Sequence, residues 1–111
     1  MTIAATPAAP YYAVIFTSTR TDGDNGYEKM AEAMFNLASE QPGFLGFESA
    51  REVLGITVSY WASLESIAVW QRNSSHLVAQ QRGREIWYKE FKVRICRVER
   101  DYAFERLQEA M

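Results

Sequence analysis

Cysteine is almost absent from this chain: Cys96 stands alone, so no intrachain disulfide can form. Histidine is as scarce, with His76 the single example, and no Cys/His cluster indicates a zinc site. No apolar run approaches the roughly 18 residues that span a bilayer, so no membrane partner is expected. No sign of charge dominates, since 12 Lys+Arg stand against 14 Asp+Glu. The late basic residues Arg82, Arg84, Lys89, Lys92, Arg94, Arg97 and Arg100 are interleaved with Glu85, Glu90, Glu99 and Asp101. That mixture is a solvated or ion-paired surface, and a nucleic-acid footprint would be more one-signed. Gly43-Phe44-Leu45-Gly46 is a turn into a strand without the context of a phosphate-binding loop. The opening stretch, Met1–Pro10, has no basic and no apolar segment of a signal peptide. It reads as a loose tail, and the cytoplasm is the expected compartment.

Aromatic residues are plentiful. Six Tyr, six Phe and three Trp make up 14% of 111 residues, which implies an aromatic core or an aromatic cavity. The apolar and charged fractions, 48% and 23%, are those of an ordinary globular domain. One domain over residues 11–104 is expected, between tails at 1–10 and 105–111.

Periodicity orders the elements. Tyr11 to Ser18 is apolar on both alternating faces, as a strand covered on both sides would be. Asp22 to Asn25 are turn and helix-start residues. A helix from Gly26 to Glu40 places Tyr27, Met30, Ala31, Met34, Leu37 and Ala38 on one face, and Pro42-Gly43 ends it. Phe44–Glu52 and Gly55–Trp61 form a hairpin of two strands, with Ile56, Val58 and Tyr60 alternating with Thr57, Ser59 and Trp61. Ser63 caps a helix over 64–72. Asn73-Ser74-Ser75 is expected to break it, with a short helix over 76–82. The last strand is expected from Tyr88 to Tyr102, with a bulge near Ile95-Cys96. Such a strand measures roughly 45 Å, so its end should pair outside its own sheet. Cys96 within it is expected to be a buried, inert thiol.

The order βαββαβ is the split pattern of ferredoxin-like α+β folds with a four-stranded antiparallel sheet. Both helices on one face leave the other bare, and a second copy of the chain, sheet against sheet, is the expected cover.

Several segments resemble the antibiotic-biosynthesis-monooxygenase superfamily: Pro42-Gly43-Phe44-Leu45-Gly46-Phe47-Glu48, Gly55 to Trp61, then Ser63-Leu64-Glu65 and Trp70. The segment from Gly83 through Trp87-Tyr88 to Arg100 is similar to an uncharacterised branch of it. The resemblance spans about Tyr11 to Tyr102. It implies a dimeric α/β barrel with a cavity between sheet and helices. It also implies either metal- and cofactor-free oxidation of polycyclic aromatics with dioxygen or haem degradation. For the haem branch, the Trp matches Trp70, but the ligating His falls on Gln80 and the first-strand Asn on Ile15 or Phe16. His76 is out of that register, so haem is disfavoured and no cofactor is expected.

His76, Tyr88 and Arg20 are the candidate catalytic residues. His76 is a general base near neutral pH or else an ordinary helix-terminal histidine. Tyr88 or Arg20 would hold an anion, and Arg82 and Arg84 are weaker alternatives. Trp61, Trp70 and Trp87, with Phe16 and Met34, are the expected substrate lining, against the alternative that the tryptophans are core. Glu48 and Arg51 are expected to make a cross-strand pair. The function expected is a cofactor-independent monooxygenase acting on a small hydrophobic or aromatic molecule. The alternative is a non-catalytic dimer that binds such a molecule.

Overall fold

The computed structural model describes residues 2–76 and 83–107, and the side chains of all of these except 75, 76, 83 and 84. Four strands form one antiparallel sheet: β1 (Tyr11–Arg20), β2 (Phe44–Arg51), β3 (Leu54–Trp61) and β4 (Tyr88–Val98). Their order is β2-β3-β1-β4, which makes β2 and β4 the edges. Helices α1 (Tyr27–Ser39) and α2 (Leu64–His76) follow β1 and β3. This is the α+β ferredoxin-like fold expected from the pattern.

Local chemistry sets the ends of the helices. The Asp24 carboxylate accepts the N–H groups of Gly26 and Glu28 at 2.9 and 3.1 Å, satisfying donors that α1 would leave bare. Ser63 caps α2 through its hydroxyl, which accepts the Ser66 N–H at 3.1 Å. Gly43 turns the chain from α1 into β2 with φ +87°, and a Cβ there would lie 2.6 Å from that of Ser66. The short Gly43 step thus lets α2 lie close to the β2 entrance.

Four expectations are corrected. Asn73-Ser74 does not break α2, which runs unbroken to His76. The polar side chains find partners while the backbone stays helical: Asn73 donates to Gln41 Oε1 at 2.7 Å and Ser74 to the Gln71 carbonyl at 3.1 Å. The rest of the expected short helix, 77–82, lies outside the described residues. The last strand stops at Val98, and its register is regular through Ile95-Cys96. The irregularity sits at its other end, where Arg20 pairs with Tyr88 directly after the Thr19–Glu90 pair. A π-helical turn, Gly83–Trp87, leads into that point. Cys96 is half-buried and not fully enclosed.

Val14, Ala38, Trp61 and Ile67 form the buried centre between sheet and helices, with Tyr12, Phe44 and Trp70 packed against it. On the opposite sheet face, Tyr11 and Tyr60 meet edge to face at 5.9 Å. The stretch 2–10 touches that face: the Ala4 N–H donates to Glu48 at 2.9 Å and the Thr6 hydroxyl to Tyr11 at 3.0 Å. Ile56 on this face is 41% exposed. Beyond β4, Tyr102, Phe104 and Leu107 project into solvent. Along β4, Lys89, Lys92, Arg94 and Arg97 are all exposed. Among the described residues, no helix is long and apolar enough to cross a membrane.

Candidate functional site

The helix-facing side of the sheet is not a uniform apolar surface. Alternation along β3 turns Thr57, Ser59 and Trp61 toward the helices and Ile56, Val58 and Tyr60 away, and Ser49 of β2 pairs with Thr57. A band of small hydroxyl residues therefore lies under α1 and α2, where bulky residues would fill the space. The result is a cavity of about 300 Å³, within the usual size of small-molecule sites.

Its walls come from all four strands and both α-helices. Val14 and Phe16 of β1, Phe44, Phe47 and Ser49 of β2, and Thr57 and Ser59 of β3 line the sheet side with Phe91 and Val93 of β4. Tyr27, Met30, Ala31, Met34, Phe35 and Ala38 of α1 form the roof, and Trp70, Gln71 and Ser74 of α2 one end. Tyr88 stands at the other end, edge to face with Tyr27 at 5.8 Å and with Phe16 at 5.4 Å. Phe16 in turn stacks on Phe91 at 5.4 Å.

The polar groups of the lining are neutral and mostly engaged. Ser49 and Thr57 hydroxyls share a hydrogen bond of 2.8 Å. Ser59 accepts the Trp61 indole N–H at 2.9 Å. Burial, then a hydrogen bond shared with Tyr27, pushes the Tyr88 hydroxyl well above the ordinary tyrosine range, and this outweighs the opposing pull of Arg51 and Arg20. Tyr88 is therefore a neutral hydroxyl at physiological pH, suited to hydrogen bonding and not to taking a proton. Among the described residues, the lining contains no carboxylate, lysine or histidine.

The structure brings four expected site residues together at this cavity: Phe16, Met34, Trp70 and Tyr88. Three others lie elsewhere. Trp61 is fully buried, stacked beneath Trp70 at 5.9 Å, and belongs to the core. Trp87 is buried outside the cavity, where its indole donates to the Asn25 carbonyl at 2.9 Å and its own carbonyl accepts the Thr21 N–H at 3.0 Å. It fastens the β1–α1 loop to the start of β4. Arg20 joins the same fastening, donating to the carbonyls of Trp87, Gly23 and Asp24 at 3.2, 3.1 and 3.3 Å. Its guanidinium covers the Tyr27 ring at 3.7 Å. The side chains of His76 and Arg84, with all of Gln80 and Arg82, lie outside the described residues.

Glu48 and Arg51 do not pair. They point to opposite faces of β2: Glu48 accepts the Tyr60 hydroxyl at 2.6 Å, while Arg51 donates to the hydroxyl and carbonyl of Ser18. Tyr27 is the main lining residue that sequence reasoning left among the core positions. The signal for it was its place on the same helix face as Met34, seven residues on.

No family model matches the chain. It is 47% identical over 105 residues to the uncharacterised protein YqjZ of Bacillus subtilis strain 168, covering 93% of this chain and 92% of that one. Among solved structures, SnoaB of Streptomyces nogalater, described as a cofactor-independent oxygenase, superposes with a TM-score of 0.67 at 14% identity, covering 91% of this chain and 100% of SnoaB. PA3566 of Pseudomonas aeruginosa gives 0.66 at 19% identity over 86% and 99% of the two chains. A candidate antibiotic biosynthesis monooxygenase of Nitrosomonas europaea gives 0.64 at 11% identity, over 83% and 92%. The architecture is thus the one these proteins share, and the resemblance read from the sequence holds at the level of fold.

Proposed function

This chain belongs to the family of Bacillus subtilis YqjZ and has the fold of the antibiotic biosynthesis monooxygenases, and from that premise we propose that it is a cofactor-independent monooxygenase for a small hydrophobic or aromatic molecule. The observation that carries the reading is the cavity: about 300 Å³, rich in aromatic side chains, and without a charged group in its described lining. In such surroundings a flat electron-rich ring is desolvated and held by Phe16, Met34 and Trp70. The substrate, once deprotonated, reduces dioxygen itself; the two combine as a peroxide, and loss of water leaves a carbonyl. The protein contributes exclusion of water, orientation and a hydroxyl donor at Tyr88. His76, at the end of α2, is the base we assign to the first step.

Oxygen-electrode traces with polycyclic phenols and quinols test this. Uptake faster than spontaneous oxidation, reduced at least tenfold by His76→Ala, is the expected result. Uptake that survives His76→Ala removes that residue from the mechanism.

The absence of any carboxylate or lysine from the described lining favours a second reading, a binding protein without turnover. A ligand that binds tightly and is recovered unchanged, with no oxygen consumed, selects it.

We also propose that the working unit is a homodimer. The exposed Ile56 of the sheet face turned from the helices and the solvent-exposed Tyr102, Phe104 and Leu107 beyond β4 are apolar surface that a second copy would cover.

A further inference from the structure

Resting on the reading of the cavity as a ligand site, we propose that Phe35 of α1 and Phe47 of β2 form its entrance. The two rings close the gap between helix and edge strand and part to admit a flat apolar molecule. They are specificity-determining residues: the breadth of the molecule, more than its length, decides whether it enters.

Both residues line the cavity and meet solvent. Phe35 is 38% exposed, whereas the other α1 residues of the lining are half-buried or buried. Phe47 is half-buried on β2, an edge of the sheet, and Ser49, the next residue on the same face, is exposed. The lining therefore reaches the surface along this side. The two ring centres lie 4.3 Å apart with planes 35° from parallel. A flat ring needs about 3.5 Å of clearance to each neighbour, so two rings admit a third between them only at roughly 7 Å. The pair as it stands is shut. On its inner side Phe44, 6.4 Å from Phe35 and 5.4 Å from Trp61, ties it to the core. Ring contact alone joins Phe35 to Phe47, so they part without breaking a hydrogen bond.

An irregularity in β2 puts Phe47 where it is. Phe44 pairs with Trp61 and Gly46 with Tyr60, so two steps along β2 answer one along β3. In a regular strand Phe44 and Phe47, three positions apart, would face opposite ways. The bulge at Leu45 turns both toward the helices, one into the core and one to the cavity's edge. It relies on Gly46, whose φ is +150° and whose missing side chain leaves room for Ala4, 3.1 Å from where a Cβ would lie. The segment before β1 holds the bulge from the opposite face, since the Ala4 N–H donates to Glu48 at 2.9 Å. Bulges of this kind re-aim side chains beside functional sites, and the ring re-aimed here is the one that meets Phe35.

The test is stopped-flow mixing with two neutral probes that take energy from excited tryptophan: 2-anthracenemethanol, one ring broad, and the broader 1-pyrenemethanol. A gate and a wall differ in kinetics. Opening a gate speeds association and dissociation together, whereas removing a wall contact speeds dissociation alone. Phe35→Ala and Phe47→Ala should each raise both rates, by at least fivefold for the pyrene probe and by less for the anthracene probe. Phe35→Trp should slow both rates. A rise in dissociation alone overturns the entrance and leaves the pair as wall. Rates that none of these variants moves overturn it too, with the ligand-site reading intact. Val93, exposed on the other edge strand, borders the cavity as well. Association slowed by Val93→Trp and not by Phe35→Trp puts the entrance at β4 and overturns the proposal. If neither probe binds the wild-type protein, the ligand-site reading falls together with the entrance. Should Phe47→Ala not fold, the two Phe35 variants, at a partly exposed helix position, decide alone.

Discussion

Trp61 and Trp70 lie face to face, ring centres 5.9 Å apart and planes 23° from parallel, yet Trp70 borders the cavity and Trp61 does not. The stack joins the folding core to the candidate site: one indole is fixed by burial and by its bond to Ser59, and the other is held in place against it.

The two tryptophans should therefore separate in their effects. Trp61→Ala removes a fully buried indole and is expected to cost about 3–5 kcal/mol, read as a fall in the urea midpoint. Trp70→Ala should cost clearly less in the same melt but abolish most of the ligand-induced change in fluorescence. Equal effects of both in both assays would contradict the division.

Gly43→Ala tests the turn into β2. The residue has φ +87°, and its new Cβ would meet that of Ser66 at 2.6 Å. Left-handed strain alone is about 1–3 kcal/mol, and the close approach to the start of α2 adds to it. A drop in thermal midpoint of several degrees is expected. A change within error would show that the turn relaxes freely.

Alkaline pH should loosen the protein. Burial and the bond to Glu48 push Tyr60 up to about 12, and Tyr88 is raised as well. The unfolded chain releases these protons near pH 10, so above that value the native state holds more protons than the unfolded one. Stability from these groups is thus complete below about pH 10 and declines as pH rises through 12. Urea midpoints measured from pH 9 to 11.5 should fall with pH. Tyr60→Phe together with Tyr88→Phe should flatten the slope.

The exposed residues beyond β4 supply a test of assembly. Light scattering on the wild-type chain should give twice 12.7 kDa. Replacing Tyr102, Phe104 and Leu107 with Ser, while keeping Asp101 and its bond from Tyr11, should shift micromolar samples toward monomer. A monomeric wild-type chain would rule the dimer out.

Much of this was legible in the sequence because local signals agreed. The capping serine at 63, the Pro42-Gly43 stop and the apolar face from Tyr27 to Ala38 each pointed to the element that formed. The site was legible only in part. Alternation along β3 shows two faces but not which one the helices cover, so Thr57 and Ser59 gave no sign of lying inside. Trp61, Trp70 and Trp87 look alike in a sequence. Their roles diverge because Trp61 lies beneath another indole and Trp87 finds a carbonyl of the β1–α1 loop. Asn73-Ser74 read as a helix break because the partners that satisfy them, Gln41 and Gln71, include one 32 residues away.

The row of exposed cations on β4 has a meaning beyond the domain. An edge strand offers unpaired backbone groups to any similar strand, and repeated pairing of that kind has no natural end. Along β4 the exposed Lys89, Lys92, Arg94 and Arg97 outnumber Glu90, so a neighbour of the same sequence would bring an excess of like charge to this edge. Like charge at that edge opposes ribbon-like pairing of one β4 with another, and so guards the strand that the sheet leaves open.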